Sequence, residues 1–373
     1  VKPRVLIVDD DPEMLSAVES VLAGDYEVRS VSDPVIAESE ASNFRPQLAL
    51  LDLRMPKLDG FTLLQRLKER MPHLQVILMT GSVYDLDRDL VRAVREKAFY
   101  FIQKPFDREV LLTLVERCNE IRVLEEERRR HLRELTEELE EAARFQRSLL
   151  PPGDATCAGL SVAARLLPHD PVAGDLYDYA AADGAASFLV ADVVGHGMSA
   201  ALLTGMVKAA FGASHAEGYD PGAVVARVRA GFRGFPPALF ATLLCARIMP
   251  AEEKLEVVNA GHPAGILATR SGTITSLGPT GPMVSALFGE TSWSVARSSW
   301  GPGDRLVLVT DGLTEVRRGS EEFGEERLTS RVVAGRKLDG GALAEDVLSD
   351  IRGFAPKPDS EDDLTLIVVT DPR

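Results

Sequence analysis

The chain has 373 residues and a mass of 40.5 kDa, too long for one compact core and, at about 150 residues per domain, long enough for two or three. With 45% apolar and 27% charged residues it reads as globular, which excludes a disordered tail. A formal charge of −15 excludes a broad phosphate-backbone surface, which needs clustered Lys and Arg, so no nucleic-acid partner is expected; a local basic patch is still compatible with it.

Cys118, Cys157 and Cys245 are scattered, odd in number and lack metal spacing, which points to a reducing compartment. The opening Val1-Lys2-Pro3-Arg4 leads into only four apolar residues before Asp9, too few for a signal-peptide core. The best apolar stretch, Ala200–Ala213, is broken by Lys208. The expectation is a soluble, cytoplasmic chain with no membrane partner.

In chain order, residues 1–106 alternate short apolar strands with amphipathic helices. Strands are predicted at Arg4–Val8, Tyr26–Val31, Gln47–Leu51, Gln75–Met79 and Ala98–Ile102. Helices are predicted over Met14–Ala23, Pro34–Asn43, Phe61–Arg70 and Leu86–Lys97. Strict alternation implies a doubly wound α/β fold, a five-stranded parallel sheet whose ligands sit at the carboxyl ends of the strands.

Residues 107–150 are rich in helix formers and contain no Pro. Positions 111, 114, 118, 121, 132, 135, 139, 142 and 149 hold Leu, Leu, Cys, Ile, Leu, Leu, Leu, Ala and Leu, the 3-4 spacing of a coiled-coil seam. The register weakens at Glu125 and Arg128, and Gln146 is a polar seam position. Such a helix would run for about 58 Å before Pro151-Pro152-Gly153 stops it. A solvated charged helix is the plainer alternative. Because the seam resumes in register after the hitch, a parallel homodimer through Leu132, Leu135 and Leu139 is the favoured reading.

Beyond this linker, strands are predicted at Leu160–Leu167, Ser187–Val194, Ala241–Ile248, Lys254–Asn259, Arg305–Thr310 and Leu364–Thr370. Helices are predicted in pairs, near Ser199–Ala213 and Pro221–Gly231, then near Glu325–Ala334 and Gly341–Ile351. Grouped strands and grouped helices imply an α+β domain.

Five residues share the carboxyl edge of the first sheet: Asp9 and Asp10 after strand one, Asp52 after strand three, Thr80 after strand four and Lys104 after strand five. Three carboxylates brought together suit a divalent cation of the Mg²⁺ kind. Once neutralised, one carboxylate can attack a phosphoryl group and hold it as an acyl phosphate. Taken singly, these residues also fit a helix cap, a turn and a surface charge; taken together they do not. The set resembles the receiver domain of two-component response regulators. That resemblance implies Asp52 as phosphoacceptor from a histidine kinase or other phosphodonor, and Mg²⁺ held by Asp9, Asp10, Asp52 and the Arg54 carbonyl. It also implies Thr80 and Lys104 as readers of the phosphoryl group and Phe101 as the aromatic switch, a position that equally fits a core aromatic.

Four aspartate clusters mark the C-terminal part: Ala173-Gly174-Asp175-Leu176-Tyr177-Asp178, Ala191-Asp192-Val193-Val194-Gly195-His196-Gly197, Thr310-Asp311-Gly312 and Asp362-Asp363-Leu364-Thr365. Asp192 and Asp311 each close an apolar strand, and carboxylates so near a core are costly unless a cation pairs with them. An all-oxygen set favours Mg²⁺ or Mn²⁺ over zinc. Two such ions can activate a shared water and hold phosphate oxygens. A single Asp-Gly is most simply a turn; four in this setting are not.

With Phe145-Gln146-Arg147-Ser148-Leu149-Leu150-Pro151 and Asn259-Ala260-Gly261-His262-Pro263, the order and spacing resemble the SpoIIE/RsbU-like branch of metal-dependent protein serine/threonine phosphatases, from about Arg144 to Val369. The resemblance implies a β-sandwich flanked by helical pairs and two Mn²⁺ or Mg²⁺ ions. Asp192 would bridge them, helped by the Val193 carbonyl. Asp175 would complete one shell, and Asp311 and Asp362 the other, with Asp363 as fallback for Asp362. His196 fits either contact with a metal-bound water or a structural turn, and His262 fits a structural role. Val172-Ala173-Gly174 departs from relatives that carry a second glycine there.

The expected organisation is a receiver domain over 1–120, a helical coiled-coil linker over 107–150 continuous with the last receiver helix, and a phosphatase domain over 151–373. The expected function is a response regulator whose Asp52 controls a phosphoserine/threonine protein phosphatase. By family analogy its substrate is a phosphorylated anti-sigma-factor antagonist of the STAS type. The alternative is a non-catalytic adaptor that binds a sigma factor or its regulator.

Overall fold

Strands apolar on both faces build the first sheet. In the computed structural model, which describes residues 2–81, 100–195, 197–355 and 362–373, β1 (Arg4–Val8), β2 (Glu27–Val31), β3 (Leu48–Asp52), β4 (Gln75–Thr80) and β5 (Tyr100–Gln103) pair in parallel, in the order β2-β1-β3-β4-β5. Val5, Ile7, Leu48, Leu50, Ile77 and Met79 pack on one face against α1 (Pro12–Leu22) and the first turns of α4 (Arg108–Leu149). Leu6, Val8, Ala49, Leu51, Val76 and Leu78 pack on the other against α2 (Ala37–Phe44) and α3 (Gly60–Arg70). Burial on both faces is what makes parallel strands read as continuous apolar runs. Asp11 caps α1, accepting the Glu13 N–H at 2.9 Å. The second predicted helix begins later than expected, at Ala37, because Asp33 takes the Val35 N–H at 3.2 Å and folds 33–36 into a turn. The predicted helix Leu86–Lys97 and the first two residues of the predicted fifth strand lie outside the described residues.

The contacts divide the chain into two units, Val1–Glu134 and Leu135–Arg373. Helix α4 begins in the first and ends in the second. Two predicted seam positions, Leu111 and Cys118, are buried in the first unit's core, because a helix lying on a sheet must bury a stripe there. Gln146 is likewise buried in the second unit, and does not sit on a seam. The exposed apolar residues of α4 include Val123, Leu124, Leu132, Leu135 and Leu139; the last three keep the 3-4 spacing of a coiled coil, whereas Leu124 is one step out of register.

In the second unit, β6 (Asp154–Cys157), β7 (Leu160–Leu167), β8 (Asp175–Ala182) and β9 (Ala185–Val193) precede the helix pair α5 (Met198–Gly212) and α6 (Pro221–Phe232). Then come β10 (Phe240–Met249), β11 (Lys254–Ala260), β12 (Gly265–Ala268), β13 (Ile274–Leu277), β14 (Val284–Ser285), β15 (Ala296–Ser299) and β16 (Arg305–Val309). A short α7 (Asp311–Thr314), the hairpin β17 (Arg317–Arg318) and β18 (Glu321–Glu322), the pair α8 (Gly324–Ala334) and α9 (Gly340–Phe354), and β19 (Leu364–Thr370) complete it. One antiparallel sheet runs β15-β11-β10-β9-β8 with β14 on β10, and the other runs β13-β12-β16-β19-β7-β6. Phe188, Val190, Leu244 and Ala246 of the first meet Leu306, Leu308, Ile367 and Val369 of the second to form the inner core. Helices α5 and α6 cover the outer face of the first sheet, and α8 and α9 that of the second. The result is a sandwich flanked by helical pairs. Strand β8 escapes sequence reading because Asp-Leu-Tyr-Asp-Tyr-Ala-Ala-Ala is poor in β-branched residues. Among the described residues no helix is long and apolar enough to cross a membrane.

Phe188 is fully buried at the centre of the inner core. Phe188→Ala is expected to cost about 3–5 kcal/mol, read as a lower denaturant midpoint for the unit that contains it.

Candidate metal and phosphoryl-transfer sites

The second unit's site lies at one end of the sandwich. Asp175 opens β8 and is paired in register with Asp192 near the end of β9. Asp311 follows β16, and Asp362 precedes β19, the antiparallel partner of β16. Two sets of bonds join the sheets there. Asp175 Oδ2 accepts the hydroxyls of Thr310 at 2.7 Å and Thr365 at 2.5 Å. Asp363 accepts the backbone N–H of His169 at 2.7 Å, Gly174 at 2.6 Å and Asp175 at 3.3 Å, with both carboxylate oxygens engaged. Close approach requires glycine twice. A Cβ on Gly174 would lie 3.2 Å from both the Val193 and Gly195 carbonyl oxygens, and one on Gly312 would lie 2.1 Å from the Asp363 carbonyl oxygen.

These carboxylates are crowded; Asp175 and Asp363 are buried, Asp192 and Asp311 half-buried, and Asp362 is at the exposed rim. Burial, then repulsion from Asp311, Asp362 and Asp363, pushes the Asp192 carboxyl up to about 7. Burial holds Asp175 well above the usual carboxylate range, against the two threonine hydroxyls that favour its anion. Asp362 and Asp363 are also raised, chiefly by burial. Among the described residues no Lys or Arg pairs with Asp175, Asp192 or Asp311. A set of carboxylates with a glycine cradle and no sulfur ligand fits hard divalent cations. Among the described residues these four aspartates do not converge as tightly as Asp9, Asp10 and Asp52 of the first unit.

In the first unit, carboxylate oxygens of Asp9, Asp10 and Asp52 all lie within 4.8 Å of one another. Lys104 Nζ bridges two of them, 2.5 Å from Asp9 and 2.6 Å from Asp52. The Arg54 backbone N–H donates to Asp52 Oδ2 at 2.8 Å, and the Lys104 N–H donates to the Thr80 carbonyl at 2.6 Å. Burial raises the Asp9 carboxyl, with Lys104 pulling it part-way back. Bonds to Asp52 and Asp9 outweigh burial at Lys104 and raise its ammonium pKa. Thr80 is buried at the same edge, and Phe101 is half-buried against the core under α3.

The family model described as Response regulator receiver domain matches residues 5–116. The model described as Stage II sporulation protein E (SpoIIE) matches residues 182–371, half of the chain. The chain belongs to the SpoIIE family. Asp192, Asp311 and Asp362 fall inside that match, and Asp175 lies just ahead of it. This SpoIIE-family chain shares its fold with the SiaA-PP2C domain of Pseudomonas aeruginosa, at a TM-score of 0.57 and 19% identity over 64% of this chain and 98% of that one. The PP2C phosphatase domain and regulatory fragment of SpoIIE from Bacillus subtilis gives 0.51 and 15%, over 58% and 64%. The DNA-binding dual master transcriptional regulator RpaA of Synechocystis sp. is 36% identical over 119 residues, 30% of this chain and 47% of that protein. The DNA-binding transcriptional regulator NtrC of Escherichia coli K12 is 39% identical over 116 residues, 31% and 24%. The chain thus spans 24% to 47% of the length of these two relatives.

Several residues around the SpoIIE-family site escape a motif reading. Gln146 Oε1 accepts the Ala173 N–H at 2.9 Å, and its Nε2 donates to the Ala173 carbonyl at 2.7 Å and to Thr204 Oγ1 at 3.0 Å. The last turns of α4 therefore grip the segment two residues before Asp175 and, through Thr204, helix α5. Buried Asp178 pairs with Lys208 of α5 at 2.7 Å. Thr310 and Thr365 carried a signal, since each lies beside an assigned aspartate cluster. His262 is buried between Thr242 Oγ1, 2.8 Å from Nδ1, and the Val309 carbonyl, 3.1 Å from Nε2, a structural tie between the sheets. His196 lies outside the described residues.

The Asp192 shift has a consequence for stability. The folded carboxyl keeps its proton up to about pH 7, whereas an unfolded one releases it near 3.8. Between those values the folded state binds more protons, so stability falls as pH rises. In EDTA, denaturant unfolding is expected to show a more stable second unit at pH 5 than at pH 8, by a few kcal/mol at most. Asp192→Asn should reduce that dependence, leaving the part of the same sign that Asp175, Asp362 and Asp363 contribute.

Proposed function

We propose that the chain is a response regulator that accepts a phosphoryl group on Asp52 and thereby controls a Mn²⁺- or Mg²⁺-dependent protein serine/threonine phosphatase. The observation that carries this reading is the meeting of Asp175 and Asp192 from one sheet with Asp311 and Asp362 from the other, at a sandwich end where, among the described residues, no Lys or Arg pairs with the first three. Asp192 would bridge two ions with the Val193 carbonyl beside it, Asp175 would serve one, and Asp311 and Asp362 the other. Asp362 suits that role better than Asp363, whose oxygens are already taken by three backbone N–H groups. When bound, such ions supply an activated water and a clamp on phosphate oxygens. In the receiver, Asp9, Asp10 and Asp52 would hold Mg²⁺. Lys104, already at Asp52, is placed to meet phosphoryl oxygens with Thr80.

Helix α4 offers the route between the two. It starts on the receiver core and ends with Gln146 on the segment that leads into Asp175. The proposed phosphodonor is a histidine kinase, and the proposed substrate is a phosphorylated anti-sigma-factor antagonist of the STAS type. The exposed Leu132, Leu135 and Leu139 support a parallel homodimer; a monomeric mass in light scattering, with Asp52 both free and phosphorylated, would refute it.

Purified protein is expected to hydrolyse a phosphoserine protein in Mn²⁺ and not in EDTA, with Asp192→Asn inactive. Asp52→Asn should take up no label from a small-molecule phosphodonor. No metal-dependent hydrolysis by the wild type, with or without receiver phosphorylation, would leave the adaptor reading in its place. Gln146→Leu keeps the side-chain size but strands the Ala173 amide. It should lower turnover at least about tenfold while costing only about 1–3 kcal/mol in a thermal melt.

A further inference from the structure

The amino ends of β3 and β4, opposite the Asp52 edge, meet helix α4 in a cleft of about 850 Å³ that neither proposed site uses. That volume is in the range of small-ligand pockets, about 300–1,000 Å³. Arg45, Arg70, Arg122, Arg129 and Arg133 line it with Glu125 and Glu126, a net charge of +3 on a chain whose total is −15.

The ion pairing leaves a surplus of positive charge. Glu126 is taken by Arg122 at 2.9 Å, and Glu125 accepts the Gln75 amide at 3.2 Å. Arg70 is paired outside the cleft with Glu38 at 3.2 Å. Among the described residues no carboxylate pairs with Arg45, Arg129 or Arg133. Arg129 is half-buried nonetheless, and a partly desolvated guanidinium without an anion is unfavourable. Arg129 and Arg133 are four residues apart on one helix face, and Arg45 comes from the α2–β3 turn. Guanidinium forks suit phosphate oxygens, which accept two parallel N–H bonds from each. Met71 and Pro72, backed by the buried Pro46 and Leu74, give the same cleft an apolar wall for a planar ring.

We infer that this cleft binds a nucleotide with at least two phosphates, the phosphates on Arg45, Arg129 and Arg133 and the base on the apolar wall. Because the ligand would touch both the receiver base and α4, it would hold that helix against the receiver independently of Asp52.

The test is isothermal titration calorimetry of the full chain with ADP, GDP and inorganic pyrophosphate, in EDTA so that no metal site can hold phosphate. A nucleoside diphosphate is expected to bind with a dissociation constant below about 100 μM at low salt, and more weakly as NaCl screens the arginines. The Arg45→Ser/Arg129→Ser double variant should lose at least about tenfold in affinity, Arg133→Ala alone somewhat less, and Asp192→Asn nothing. Pyrophosphate binding as tightly as ADP would overturn the nucleotide assignment. No binding up to about 5 mM, or unchanged binding by the double variant, would overturn the site.

Discussion

Carboxylates packed together away from water govern this molecule. An isolated buried carboxylate costs several kcal/mol, and each neighbour of the same sign adds to that. Strand ends are where a fold can hold such groups, because the strand fixes the backbone while the turn beyond it admits ligand and water. Asp9 and Asp52 in one unit, and Asp175, Asp192, Asp311 and Asp362 in the other, all lie at strand ends. Much around them serves to make their charge tolerable. Thr310 and Thr365 donate hydroxyls to Asp175, and Gly312 lets the backbone close over Asp363.

The framework of both units was legible because it rests on hydrophobic pattern. In the receiver, continuous runs such as Val5-Leu6-Ile7-Val8 are apolar on both faces and announce parallel strands. Longer strands of the sandwich core, β9, β10, β16 and β19, were equally plain. Strands β6, β13, β14 and β15 are short and at least half polar, and the apolar β12 is only four residues long, so their pairing is imposed by the sheet they join. The aspartates were legible through their glycine and strand-end neighbours. Their supports were not, because Gln146 and Thr204 become neighbours only once the sandwich and its outer helix pair exist. A glutamine on a charged helix reads as solvent-facing or as a seam defect; here it is buried and fully bonded.

Helix α4 shows how one amphipathic segment can serve three environments. Its first turns spend their apolar stripe on the receiver sheet through Leu111, Val115 and Cys118. Its middle carries exposed leucines and arginine-rich turns. Its end buries Ala143 and the polar Gln146 in the second unit. Under the proposed function, a helix committed at both ends is the covalent connection through which a change at one end would reach the other. Coupling of the two sites therefore requires two arrangements of the contacts at its ends, and the three hydrogen bonds of Gln146 are of the kind that can be made or broken as a unit.

The two acidic sites solve the charge problem differently, and the difference bears on how they are used. In the receiver a lysine is built in: Lys104 bonds Asp9 and Asp52, so one of the three carboxylate charges of Asp9, Asp10 and Asp52 is balanced by the protein itself. The remaining two charges match one divalent cation, the Mg²⁺ proposed there. In the second unit the neutralising groups around Asp175 are hydroxyls, and around Asp363 backbone N–H groups, which lower the cost of an anion without cancelling its charge. Among the described residues Asp192 receives neither, and burial with repulsion from Asp311, Asp362 and Asp363 pushes its carboxyl up to about 7. Divalent ions would therefore contribute to the stability of that end of the sandwich as well as to its chemistry. Under the proposed function, ions held by Asp175 and Asp192 would oppose any displacement of either, so receiver control would act through ion occupancy.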